Sequence, residues 1–165
     1  MIFEEEFNKY FKNKTTVKNA FNNSEVLPNT HGIYVYRVPE DKIADIEFLD
    51  TTTAQETKPN GKTALYPKEQ LTIKYNNGDK KTLYIGKAEG KDNIQKRTKQ
   101  RANYSKEKHK YIPARGGRAM FQIKDWENIG LEFYYFETED VFLETELLTL
   151  YQNEYGTLPV ANWKI

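Results

Sequence analysis

The sequence predicts an α+β fold: one domain spanning residues 1–165, with a small central antiparallel sheet of about three strands flanked by helices. Three observations carry that expectation. Short β-branched and aromatic runs lie at 32–38, 81–86 and 131–136. Apolar residues at helical spacing mark both ends of the chain and the stretch 92–104. Apolar types make up only 38% of the chain, yet 12 Tyr, 9 Phe and 2 Trp supply large side chains for a core, which a disordered chain lacks.

Taken in order, Phe3, Phe7, Tyr10 and Phe11 follow helical spacing, and Val17, Ala20 and Phe21 add a second helical turn before Pro28. Residues 1–30 thus read as an N-terminal helical extension. Gly32-Ile-Tyr-Val-Tyr-Arg-Val38 reads as a strand ended by Pro39. Residues 50–63, rich in Thr, Asn, Pro and Gly, read as a surface excursion. Leu71-Thr-Ile-Lys-Tyr75 and Lys81-Thr-Leu-Tyr-Ile-Gly86 flank an Asn-Gly turn and predict a hairpin. Asp92 or Asn93 caps a helix running to about Tyr104, with a thin buried stripe of Ile94, Thr98 and Ala102. A basic loop follows at 106–118, then another strand at Leu131-Glu-Phe-Tyr-Tyr-Phe136, then a helix from about Glu139 to Tyr155 stopped by Gly156 and Pro159.

Composition narrows the chemistry. The absence of cysteine removes disulfides, thiolate metal sites and a Cys nucleophile together. No run approaches the ~20 apolar residues of a membrane span, and Met1-Ile-Phe-Glu-Glu-Glu is acidic where a signal peptide is basic. The expectation is a cytoplasmic protein with no membrane partner. His31 and His109 have no second metal-ligating group at useful spacing. Gly61-Lys-Thr63 ends like a phosphate-binding loop, but Glu56 stands where that loop needs its first glycine.

A net charge of +1 hides a strong separation. Residues 87–118 carry 11 basic and three acidic side chains, a local +8, whereas residues 125–154 carry nine acidic and no basic ones, a local −9. A concentrated basic stretch suits a polyanion. The plainer alternative is that the two stretches meet across the fold. Within the basic stretch Arg97 and Arg101, four residues apart, share a helix face, and each presents a planar fork that matches a phosphate.

Gly32-Ile33-Tyr34 on the first strand and Tyr84-Ile85-Gly86 at the end of the third, followed by Lys87-Ala88 and the Arg97 helix, resemble the GIY-YIG nuclease family. The resemblance covers roughly residues 31–162. It implies a metal-dependent endonuclease that hydrolyses DNA with Mg2+ or Mn2+, and it implies roles residue by residue. Tyr34 and Tyr84 would be the active-site tyrosines, with Tyr34 helping to deprotonate the attacking water and nearby cations lowering its pKa. Arg97 would steady the scissile phosphate, Lys87 would stand beside the substrate, and Asn162 would support the site by hydrogen bonding. Glu144 would hold the metal. Glu146 lies on the same helix, but Leu147, Leu148 and Tyr151 stand three, four and seven residues after Glu144, so Glu144 borders the apolar face. Arg101, Arg115 and Arg118 are candidate substrate contacts, with Gly116-Gly117 either admitting the DNA backbone or only turning the chain.

Three departures from the family stand out. Forty-nine residues separate Tyr34 from Tyr84, so the family hairpin carries an inserted extension, within 39–75. Arg101 stands where the family often has His or Tyr. The step from Glu144 to Asn162 is long. Within the family, a restriction or defence enzyme fits better than a repair subunit, and a homodimer joined through the insertion or the N-terminal helices is one route to specificity. The alternative function is a catalytically silent nucleic-acid-binding protein that retains the nuclease fold.

Overall fold

The computed structural model describes residues 2–58, 60–106 and 116–165. Its elements run α1 (Ile2–Tyr10), β1 (Asn13–Thr16), α2 (Val17–Asn22), β2 (Gly32–Arg37), α3 (Lys68–Asn77), β3 (Thr82–Ala88), α4 (Ile94–Tyr104), β4 (Glu132–Glu137) and α5 (Leu143–Tyr155). Short 3-10 turns lie at Ser24–Val26, Glu40–Asp45 and Arg118–Gln122. No helix among the described residues is long and apolar enough to cross a membrane.

The strands form one open antiparallel sheet in the order β1-β4-β2-β3. The interior strand β2 is buried at every residue, and strand alternation divides it into two sets. Ile33 and Val35 join Ile85 on one face, where Phe3 and Phe7 of α1 and Leu143, Leu147, Leu148 and Tyr151 of α5 close over them. Tyr34 and Tyr36 take the other face with Tyr84, Phe133, Val17, Ala20, Ile94 and Phe121. Each such large apolar side chain contributes roughly 1.5–3 kcal/mol on burial. The first helix is tied to the last: Phe3 meets Tyr151 edge-on with centroids 5.0 Å apart, and the Phe3 amide donates to Glu154 Oε1 at 2.8 Å.

At the far end of β2 the guanidinium of Arg37 is buried. It donates to both carboxylate oxygens of Glu4, at 2.9 and 2.6 Å, lies 3.6 Å from Asp79 and sits 4.0 Å over the Phe7 ring. Burial alone would pull its pKa down, and the two carboxylates reverse that, so the shift is upward.

The α+β class holds, with four corrections. First, the sheet has four strands, because β1 lies inside the N-terminal extension and pairs with β4. Asn-Lys-Thr-Thr has no apolar alternation, and its pairing is a backbone matter with a partner more than a hundred residues away. Second, the strand expected at 71–75 is part of α3, so the insertion between β2 and β3 carries a helix where a hairpin arm was expected. Leu71 and Tyr75 are buried one helical turn apart, while Ile73, which a strand would have buried with them, is 62% exposed. The Asn-Gly pair therefore ends a helix: the Gly78 amide donates to the Tyr75 carbonyl at 3.2 Å. Third, α5 begins at Leu143 rather than Glu139. Fourth, α4 buries Arg101 and Tyr104 besides Ile94, Thr98 and Ala102, a wider face than the sequence predicts.

Candidate active site

The sheet register puts the two tripeptides side by side. Tyr34 stands opposite Gly86, and Tyr36 opposite Tyr84. A Cβ on Gly86 would lie 2.5 Å from Tyr34 Cζ and 2.7 Å from its hydroxyl, so the ring packs where only glycine leaves room. A Cβ on Gly32 would collide with the Phe136 carbonyl and the Ile94 side chain. Both motif glycines thus have a packing reason independent of any chemistry.

β3 is one of the two edge strands of the sheet, and side chains from both of its faces reach one cavity of about 440 Å³. Tyr84 comes from the tyrosine face and Lys87, opposite Ile33, from the other. Arg97 enters from α4, Glu144 and Leu148 from α5, Gly116 from the segment before Arg118, and Ala161 to Ile165 from the C-terminal tail. Tyr66 completes the lining. Five of the six residues expected to be catalytic therefore meet here: Tyr84, Lys87, Arg97, Glu144 and Asn162.

Tyr34 does not. It is 1% exposed beneath Tyr84, with its ring stacked on Phe133 at 6.0 Å, and its hydroxyl makes no well-aligned hydrogen bond, having the Arg101 guanidinium as its polar neighbour. Arg101 does not reach the cavity as a phosphate ligand either. A step of four residues rotates a helical position by about 40°, and that turns Arg101 under the tyrosines. Its guanidinium lies 4.9 Å from the Tyr84 centroid and 5.6 Å from that of Tyr36, and it donates to the Gly116 carbonyl at 2.9 Å. Burial works against its charge, but Tyr36, Tyr34 and Tyr84 outweigh that and shift its pKa upward. Arg118 donates to the Tyr66 hydroxyl at 3.1 Å. Arg115 and most of the basic loop lie outside the described residues.

Gly116 and Gly117 do turn the chain, with φ near +68° and +69°. They also admit close contact: a Cβ on Gly116 would lie 2.6 Å from the Tyr84 hydroxyl, and one on Gly117 would strike the Arg101 guanidinium. Asn162 is fully committed. Its Oδ1 accepts from the Ile85 amide at 2.9 Å and its Nδ2 donates to the Ile85 carbonyl at 3.0 Å. With the Ala161 amide on the Leu83 carbonyl at 2.9 Å, the tail completes the free edge of β3.

The charges in the cavity follow from partial burial. Glu144 is half-buried, and Glu146, one of its neighbours on α5, is exposed. Burial pushes the Glu144 carboxyl above its ordinary value, Lys87 and Arg97 pull it back, and Glu89 pushes it further up. Lys87 pairs with Glu89 at 3.3 Å and Arg97 with Asp92 at 3.7 Å, so the basic stretch neutralises itself in part and meets the acidic stretch at Glu144. Burial also pushes the Tyr84 phenol up to about 12, helped by Tyr34 and Glu144 and opposed by Arg101 and Arg97. At Tyr84 the two cations Arg101 and Arg97 are outweighed by burial.

No group of three or more His, Cys, Asp or Glu suited to a metal occurs among the described residues. The donor set fits a hard cation held by one carboxylate and keeping most of its own water, as Mg2+ does. A half-buried carboxylate whose charge is penalised by burial is also one that a cation relieves.

Sequence reasoning missed Tyr66 and Trp163. Tyr66 follows the turn-rich excursion, where no periodicity marks it, and Trp163 follows Asn162 in the tail without pattern. No protein-family model, no curated protein and no solved structure matches the chain.

Proposed function

We propose that the protein is a metal-dependent endonuclease of GIY-YIG type that hydrolyses DNA phosphodiester bonds in the cavity beside β3. The observation that carries the proposal is the convergence of Tyr84, Lys87, Arg97, Glu144 and Asn162 on one cavity from β3, α4, α5 and the tail. A two-tripeptide match could arise on unrelated strands; a shared cavity also containing a cation pair and a half-buried carboxylate is what phosphoryl chemistry needs.

In this mechanism the Arg97 guanidinium and the Lys87 ammonium neutralise the phosphoryl oxygens. Tyr84, a phenol at working pH, donates a hydrogen bond to the phosphate or to the attacking water. Glu144 would hold Mg2+ or Mn2+, which when bound supplies charge stabilisation at the leaving oxygen. Asn162 acts through β3, by fixing the strand that bears Tyr84 and Lys87. Tyr34 supports Tyr84 from below, their ring centroids 6.3 Å apart.

The test is nicking of supercoiled plasmid with Mg2+ or Mn2+, with EDTA as control. The expected result is metal-dependent cleavage that Glu144→Gln abolishes and Glu146→Gln retains. Salt-sensitive DNA binding without cleavage in any metal would favour the silent binder.

A further inference from the structure

Trp163, 38% exposed on the cavity rim, is held on two sides by residues of the insertion. The Lys74 ammonium of α3 lies 3.6 Å from its ring centroid, and the Tyr66 ring stacks on it at 4.6 Å with 20° between the planes. Lys74 Nζ also donates to the Asn162 carbonyl. Tyr66 is itself pinned: its amide donates to Gln122 Oε1 at 3.0 Å, its carbonyl accepts from Gln122 Nε2 at 2.7 Å, and its hydroxyl accepts from Arg118 at 3.1 Å. On its other side the tail is sewn to β3 through Ala161 and Asn162.

We propose that the insertion between β2 and β3 is a brace for the cavity, with Lys74 and Tyr66 as positioning residues that act through Trp163 and Asn162. The inference rests on the nuclease reading of the cavity. Apolar side chains would pack the tail without a cation, yet Lys74 is placed where burial lowers its pKa to about 8, and it spends its charge on an aromatic face and a carbonyl. The contacts converge on Asn162 and Trp163, two of the tail residues that line the cavity, and Asn162 passes the constraint to Ile85, next to Tyr84 on β3. A displacement of the order of 1 Å at such a site is enough to cost about a hundredfold in rate.

The test compares Lys74→Met and Tyr66→Leu with the conservative Lys74→Arg and Tyr66→Phe. Plasmid cleavage is read as kcat and KM, and the tail as acrylamide quenching of tryptophan emission. Trp126 is 6% exposed, so the quenchable emission belongs to Trp163. The disruptive pair is expected to lose about tenfold or more in kcat with KM within about twofold, and to quench more steeply. The conservative pair is expected to keep kcat within about threefold. Steeper quenching with unchanged kcat overturns the brace, and so does a rise in KM alone, which would make Lys74 a substrate contact. If the wild type cleaves nothing, the nuclease reading fails by itself; quenching unchanged in Lys74→Met and Tyr66→Leu would then still overturn the brace.

Discussion

The ring of Tyr34 lies directly against Gly86 across the β2–β3 pairing, so close that a methyl group on the glycine would fall 2.5 Å from Tyr34 Cζ. The first tripeptide's tyrosine is thus accommodated by the second tripeptide's glycine, and the two motifs are one packing unit.

Gly86→Ala is accordingly expected to destabilise the fold by about 1–3 kcal/mol through overpacking, read as a lower melting temperature. Tyr34→Phe should do the opposite. It removes a buried hydroxyl that makes no well-aligned hydrogen bond and only an electrostatic contact with Arg101, and an unpaired buried hydroxyl costs on the order of 1–3 kcal/mol, so stability should be unchanged or higher. A lower melting temperature for Tyr34→Phe would mean that the hydroxyl is satisfied in solution. With stability unchanged, a loss of cleavage in the same variant would show that the hydroxyl acts on the site through Tyr84 or Arg101, since Tyr34 does not line the cavity.

Tyr84 should titrate late. Its phenol is pushed up to about 12, chiefly by burial, so it stays protonated through the working range. The difference in tyrosinate absorbance between wild type and Tyr84→Phe should emerge only near pH 12, whereas a phenolate appearing below pH 10 would contradict the donor role. Tyr84→Phe should lower kcat about a hundredfold, the usual cost of losing one donor aimed at developing charge.

The site was more legible than the insertion, for physical reasons. Glu144 separates from Glu146 because helical periodicity alone tells which carboxylate borders Leu147, Leu148 and Tyr151, and the half-buried and exposed positions follow it. The cap of α4 was readable because Asn93 does what an N-cap does, its side chain accepting from the Lys96 amide at 2.7 Å. At 71–75 the pattern was ambiguous: Leu71, Ile73 and Tyr75 fit a period of two, and Leu71 with Tyr75 equally fits a helical turn. Only the tertiary environment, which leaves Ile73 in solvent, decides it. Arg101 illustrates the limit of face arguments, since the residue spacing that groups it with Arg97 also turns it under the tyrosines.

The Arg37 cluster separates stability from function. Glu4→Gln leaves the Arg37 guanidinium buried with one of its two carboxylate partners gone, and breaking such a pair costs about 3 kcal/mol. Neither Glu4 nor Arg37 lines the cavity beside β3. Chemical denaturation should therefore shift to lower denaturant while cleavage per folded molecule stays within about twofold of wild type. A selective loss of kcat at full stability would tie this cluster to the site.

Glu144 yields a test that needs no turnover. Burial raises its folded pKa above the unfolded value, so the folded state binds the proton more tightly than the unfolded chain does. Its contribution to stability is then fully present below the ordinary carboxylate pKa and is lost as pH rises through the raised one. At neutral pH the ionised carboxylate works against folding. Two outcomes follow in metal-free buffer and in Mg2+. Glu144→Gln should melt higher than wild type without metal, and the gap should close as pH is lowered toward 4.5, the ordinary value. Added Mg2+ should raise the wild-type melting temperature and leave Glu144→Gln unmoved, because a ligand that binds only the folded state stabilises it in proportion to its occupancy. An equal Mg2+ effect on both proteins would place the cation elsewhere and remove Glu144 as its ligand.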